Sequence, residues 1–205
     1  YYYDGQYQRA IEDWDEAIRV NPQYIDAYFM RAEAYYDLGQ YERAIEDYDE
    51  AIRLDPQDAI AYNNRGFTYS SLGQYERALQ DFDEAIRLDP QDAIAYNNRG
   101  FSYRKLGQYN LAIQDYDDAI RLDPQNAIAY YNRGFAYNDL GQYDLAIQDY
   151  DESIRLDPQN SEAYYNRGFS YINLGQYERA IQDYDEAIRL DPQKAIAYNN
   201  RGFSY

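Results

Sequence analysis

The stretch AIAYNNRGFTYSSLGQYERALQDFDEAIRLDPQD, residues 59–92, holds two blocks of helix-spaced apolar and small residues, parted by Gly73 and closed by Asp89-Pro90. The spacing predicts a first helix over about 59–72 and a second over about 75–88. Glycine favours a helix stop, and proline cannot continue a helix and biases the residue before it away from α. Small residues fall at Gly66, Ala78 and Ala85, and large ones at Tyr62, Tyr69, Tyr75 and Phe82. Large against small lets two helices approach closely as an antiparallel pair.

The stretch repeats along the chain. Pro22, Pro56, Pro90, Pro124, Pro158 and Pro192 are each 34 residues apart, and Gly5, Gly39, Gly73, Gly107, Gly141 and Gly175 keep the same step. Full copies run over 25–58, 59–92, 93–126, 127–160 and 161–194, with partial copies at 1–24 and 195–205. Such a period predicts an all-α solenoid over 1–205, in which each unit buries its apolar face on its neighbours.

A 34-residue unit with Tyr62, Gly66, Tyr69, Gly73, Tyr75, Ala78, Phe82, Ala85 and Pro90 resembles the tetratricopeptide repeat (TPR) over the whole chain. The resemblance implies a right-handed superhelix of antiparallel helix pairs. First helices would line a concave groove, second helices would form the convex back, and the protein would be a binding scaffold without catalytic activity. One position departs from the family's apolar habit: Arg31, Arg65, Arg99, Arg133, Arg167 and Arg201 precede the first small residue.

These arginines share a helical side with the tyrosines that face the partner helix, and an aspartate falls on the inner side of each second helix. Buried pairs are therefore expected between Arg31 and Asp47, Arg65 and Asp81, Arg99 and Asp115, Arg133 and Asp149, and Arg167 and Asp183. Their role would be register, because a buried pair adds little net stability. The 29 tyrosines follow from the repeat and read as core, with hydroxyls reaching the rim.

Ile60, Asn64, Phe67 and Ser71 share another face of the first helix, with Asn63 beside them. In the other copies this face carries Ile94, Asn97, Asn98 and Phe101, then Ile128, Asn132 and Phe135, then Asn166 and Phe169, while Met30 and Glu33 depart from it. An asparagine in each repeat could track the backbone of an extended peptide, since an amide matches both C=O and N–H; it resembles the asparagine ladder of some TPR peptide-binding superhelices. Equally, the amides could bond between adjacent first helices. A lysine/asparagine clamp for a terminal carboxylate is not supported, because the stripe lacks basic groups. The lower lip varies most: Tyr36 and Asp37, Ser70 and Ser71, Arg104 and Lys105, Asn138 and Asp139, Ile172 and Asn173. Arg104, Lys105, Asn138 and Asp139 are the candidates for partner specificity, although drift at exposed positions predicts the same variation.

The net charge is −18, and neither histidine nor cysteine occurs. The acidity disfavours nucleic acid, whose phosphates need clustered Lys and Arg, and no apolar run reaches membrane-spanning length. No nucleophile, acid–base pair, cofactor motif or metal motif is evident. Clusters such as Asp47, Asp49 and Glu50 diverge on a helix and read as a solvated convex face. Copy 25–58 carries a net −7 and copy 93–126 is neutral.

Tyr1 and Tyr205 occupy the same repeat position, and no polar capping helix is evident. This predicts either a window of a longer array or an end-to-end contact in which 195–205 joins 1–24 and Arg201 meets Asp13. The expected partners are thus a protein or peptide in the groove, or copies of the chain in a filament.

Overall fold

A computed structural model describes residues 6–205; Gly5 and Tyr1, which carry two of the expectations above, lie outside the described residues. The described residues form helices and no strands, and no helix is long and apolar enough to cross a membrane. The chain divides into two compact units, 1–102 and 103–205.

In the first unit the helices are α1 (Tyr7–Val20), α2 (Ile25–Asp37), α3 (Tyr41–Leu54), α4 (Ala59–Ser71), α5 (Tyr75–Leu88) and most of α6 (Ala93–Lys105). The second unit holds α7 (Tyr109–Leu122), α8 (Ala127–Asp139), α9 (Tyr143–Leu156), α10 (Ser161–Asn173), α11 (Tyr177–Leu190) and α12 (Ala195–Ser204). The paired helices of a repeat pack on each other, α2 on α3 and α4 on α5 in the first unit, α8 on α9 and α10 on α11 in the second. Successive repeats join through a second helix against the next first helix, as α3 meets α4 and α9 meets α10.

Local chemistry sets each boundary. The Asp58 carboxylate accepts from the backbone N–H of Ile60 at 2.9 Å and of Ala61 at 3.3 Å, satisfying two of the donors that a helix start leaves open. Asn126 and Asn160 cap α8 and α10 in the same way. Lys194 breaks the pattern: α12 has no side-chain cap, and its ammonium instead pairs with Glu162. First helices end in a turn that needs positive φ. Gly73 sits at φ 74°, its N–H donates to the Ser70 carbonyl at 3.0 Å, and the Gln74 N–H reaches the Tyr69 carbonyl at 2.9 Å.

The close approach within a repeat is geometric. A Cβ built on Gly66 would lie 2.9 Å from the Phe82 ring, and one on Gly168 would lie 2.9 Å from the Tyr184 ring. Around these points the core is small residues against rings: Ala32, Ala34 and Ala44 with Tyr35 and Tyr48 in the first unit, Ala112 and Ala136 with Tyr116 in the second. The expectation that the tyrosine hydroxyls reach the rim fails at one place. Tyr116, Tyr150 and Tyr184 are wholly buried, and the rings of Tyr150 and Tyr184 lie against Gly134 and Gly168 of the facing helix. The Tyr150 hydroxyl accepts from Asn138 at 3.1 Å, and burial pushes the Tyr184 phenol up to about 12.

Candidate functional site

The arginine of each first helix is a three-pronged clamp. Arg65 donates through Nε and Nη2 to the two carboxylate oxygens of Asp81, at 2.9 and 2.6 Å. Its remaining nitrogen, Nη1, donates to Asp49 of the preceding repeat at 2.6 Å. The geometry recurs where Arg31 holds Asp47 and Asp15, Arg133 holds Asp149 and Asp117, and Arg167 holds Asp183 and Asp151. Arg99 donates to Asp83 at 2.7 Å. The pairing of Arg99 with Asp115 joins residues of different units and stays an expectation. Burial pushes the Asp81 carboxyl up, the Arg65 hydrogen bonds pull it back, and burial wins. The clamp therefore specifies register more than it adds net stability.

The second prong corrects one expectation. Asp49, Asp83 and Asp151 of the D-x-D-E clusters are half exposed, yet each bonds an arginine of the next repeat; they are links between repeats, not solely a solvated face. Among the described residues no three carboxylates converge on a metal. Arg201 makes the second prong, from Nη1 to Asp185; its Nε and Nη2 make no bond among the described residues, and the end-to-end contact with Asp13 stays an expectation. Asp13 is exposed.

The first-helix stripe separates into two chemistries. Its exposed apolar members are Ile60, Ile94 and Ile128, about 60% exposed, and Phe67 and Phe169, over a third exposed. Phe101 and Phe135 are half-buried, the latter with the Arg104 guanidinium 4.3 Å above its ring. The amides bond between repeats. Asn98 donates to the Asn63 carbonyl oxygen at 3.2 Å, Asn166 to the Tyr131 hydroxyl at 2.9 Å, and Asn200 to the Tyr165 hydroxyl at 3.0 Å. Asn63 and Asn166 are buried, while Asn64, Asn97 and Asn132 are half-buried. An N–H of each bonded amide is thus committed to the neighbouring first helix.

The variable lower lip does the same work with different residues at each junction. Tyr36 bonds Ser71 at 3.0 Å, Ser70 lies 3.4 Å from Ser102, Arg104 donates to Asp139 at 3.2 Å, and Asn138 accepts from Ser170 at 2.8 Å. Three of the four specificity candidates, Arg104, Asn138 and Asp139, are held by neighbouring repeats, and Lys105 is exposed. No signal in one repeat read alone finds these bonds; they appear only when position 12 of one copy is set beside position 10 or 13 of the next.

Models described as "TPR repeat" match residues 1–39, 32–73, 100–141 and 136–175. Models described as "Tetratricopeptide repeat" match 59–92 and 161–194, and 82–114. No curated protein matches this sequence. Among solved structures, YrrB, titled a TPR protein with an unusual peptide-binding site, is 26% identical, with 94% of this chain and 99% of that chain covered and a TM-score of 0.72. MamA from Desulfovibrio magneticus RS-1 is 24% identical, with 83% and 97% covered and a TM-score of 0.75. PilW, a type IV pilus biogenesis factor, is 22% identical, with 97% and 92% covered and a TM-score of 0.87. The last two show the likeness of fold alone. With helix pairs of 34 residues, glycine-to-ring contacts and repeat models matching from 1 to 194, this chain belongs to the tetratricopeptide repeat family.

Proposed function

We propose that the chain is a non-enzymatic interaction scaffold whose first-helix faces bind an extended segment of another protein. One observation carries this reading. Within each unit, large apolar side chains stand exposed on the first-helix face turned away from the second helix: Ile60, Phe67 and Ile94 in one unit, Ile128 and Phe169 in the other. A folded chain that places large apolar side chains in water on the same face of several repeats presents a surface suited to a partner. The likeness to YrrB supports the same class of ligand. Because one N–H each of Asn98, Asn166 and Asn200 is bonded to the neighbouring repeat, affinity rests chiefly on these apolar side chains.

Selection of a displayed random peptide library on the full chain tests the proposal. Selected peptides should lose binding when Ile60, Phe67 and Ile94, or Ile128 and Phe169, become aspartate. They should keep it when Leu111 and Leu145, exposed on second helices to the extent of Phe67 and Phe169, are changed in the same way. Peptides indifferent to the first set would overturn the reading. Scattering mass at several dilutions separates the alternative of end-to-end assembly, which requires a mass that grows with concentration.

A further inference from the structure

One repeat interrupts the pattern of this face. In repeat 25–58 the position of the recurring phenylalanine holds Glu33, and the position of the recurring asparagine holds Met30. A cleft of about 180 Å³ opens there in the first unit, lined by Glu33, Tyr36, Asp37, Tyr48, Asn64, Phe67 and Thr68. That is below the roughly 300–1,000 Å³ of small-molecule sites and suits a single long side chain.

Two polar groups in the cleft are unspent. The Glu33 carboxylate has no hydrogen-bond or ion-pair partner among the described residues; burial, and then the charge of Asp37, push it above the usual carboxylate range. Asn64 differs from Asn98, Asn166 and Asn200. The residue of the preceding repeat that would accept its N–H is Phe29, which has no acceptor, so only its oxygen is engaged, by Asn63 at 3.4 Å. Asn64 itself lines the cleft. The walls are aromatic: the Tyr36 and Phe67 rings lie 5.4 Å apart, and Tyr41 lies 5.2 Å from Tyr36.

We infer that this cleft is a recognition pocket for a lysine or arginine side chain of the extended peptide, with Glu33 as the residue that reads its charge. The cation would pair with Glu33, its aliphatic stem would lie along Tyr36 and Phe67, and the Asn64 amide would donate to a peptide carbonyl. Cation and ring face attract, and a long basic side chain keeps its stem on apolar surface. Charge complementarity singles out this occupant: the charged side chains lining the cleft are Glu33 and Asp37, with no Lys or Arg among its lining residues. An acidic or terminal carboxylate ligand would meet like charge.

The inference rests on the peptide-scaffold reading and fails separately from it. The experiment selects one displayed random decapeptide library in parallel on the full wild-type chain, on Glu33→Phe, which restores the residue of the other repeats, and on Glu33→Gln. Wild type should enrich peptides with a fixed Lys or Arg beside apolar residues. Both variants, with unfolding midpoints checked, should lose the basic preference at least tenfold and keep the apolar one. For one selected synthetic peptide, Lys→norleucine should weaken Kd at least tenfold on wild type and leave it unchanged on Glu33→Gln. Equal basic enrichment on all three chains, or wild-type peptides without a basic residue, overturns the pocket and leaves the scaffold reading intact. No enrichment on any chain overturns both.

Discussion

Repeats 25–58 and 161–194 share a skeleton and differ in their face. Arg31 grips Asp47 and Asp15 much as Arg167 grips Asp183 and Asp151. On the outward side, Met30, Glu33 and Tyr36 stand where 161–194 has Asn166, Phe169 and Ile172. Phe169 lies exposed in water, and Glu33 stands in an aromatic cleft. Buried polar geometry tolerates no substitution without leaving a charge unpaired, whereas an exposed position can change its chemistry at small cost to the fold. Function is therefore free to diverge on a face whose scaffold is held constant.

The largest effect should come from removing the shared part. Arg167→Met leaves Asp183 buried and unpaired and should cost about 3–5 kcal/mol; Arg31→Met should cost as much. Urea unfolding followed by circular dichroism measures both. A repeat that loses less than about 1 kcal/mol would show that the clamp is not common to the two.

An intermediate effect tests a buried position at which the skeletons differ. Ala32 occupies the place of Gly168 and is fully buried. Gly168→Ala puts a methyl against the Tyr184 ring, and the strain should cost about 1–3 kcal/mol, from which helix propensity returns up to about 1. Ala32→Gly should cost about 0.5–1 kcal/mol, the usual penalty of glycine within a helix. Gly168→Ala with an unchanged midpoint would mean that the ring yields freely.

The smallest effect concerns the faces themselves. Burial and Asp37 raise the Glu33 pKa in the folded chain. A raised carboxyl contributes stability below its unfolded pKa and loses it as pH rises through the folded one. Glu33→Gln should therefore stabilise slightly at pH 7, by less than either effect above, and the gain should vanish near pH 3, where both side chains are neutral. Phe169→Gln should show no such pH dependence. A Glu33→Gln gain that persists at pH 3 would break the contrast.

Much of this was legible in the residues. Gly73 and Pro90 marked helix ends at 71 and 88, because backbone stereochemistry acts locally. The partnership of Arg65 with Asp81 followed from helix faces, since a 3.6-residue period places both on the inner side. Other features needed the fold. The third nitrogen of Arg65 reaches Asp49, sixteen residues earlier and in another repeat, and helical periodicity says nothing of how one repeat seats on the next. The asparagine amides read equally well as a ladder for a peptide or as bonds between first helices. Only packing shows that bonds of the second kind form, because adjacent first helices bring Asn166 within 2.9 Å of Tyr131. The cleft at Glu33 arises the same way. Phe29 cannot accept the bond that Tyr131 accepts, so the Asn64 amide stays unspent beside an unpaired carboxylate. Local sequence determined which helices form and which faces are apolar; tertiary packing decided which polar atoms remained for a ligand, because hydrogen-bond capacity is used up between neighbours in space.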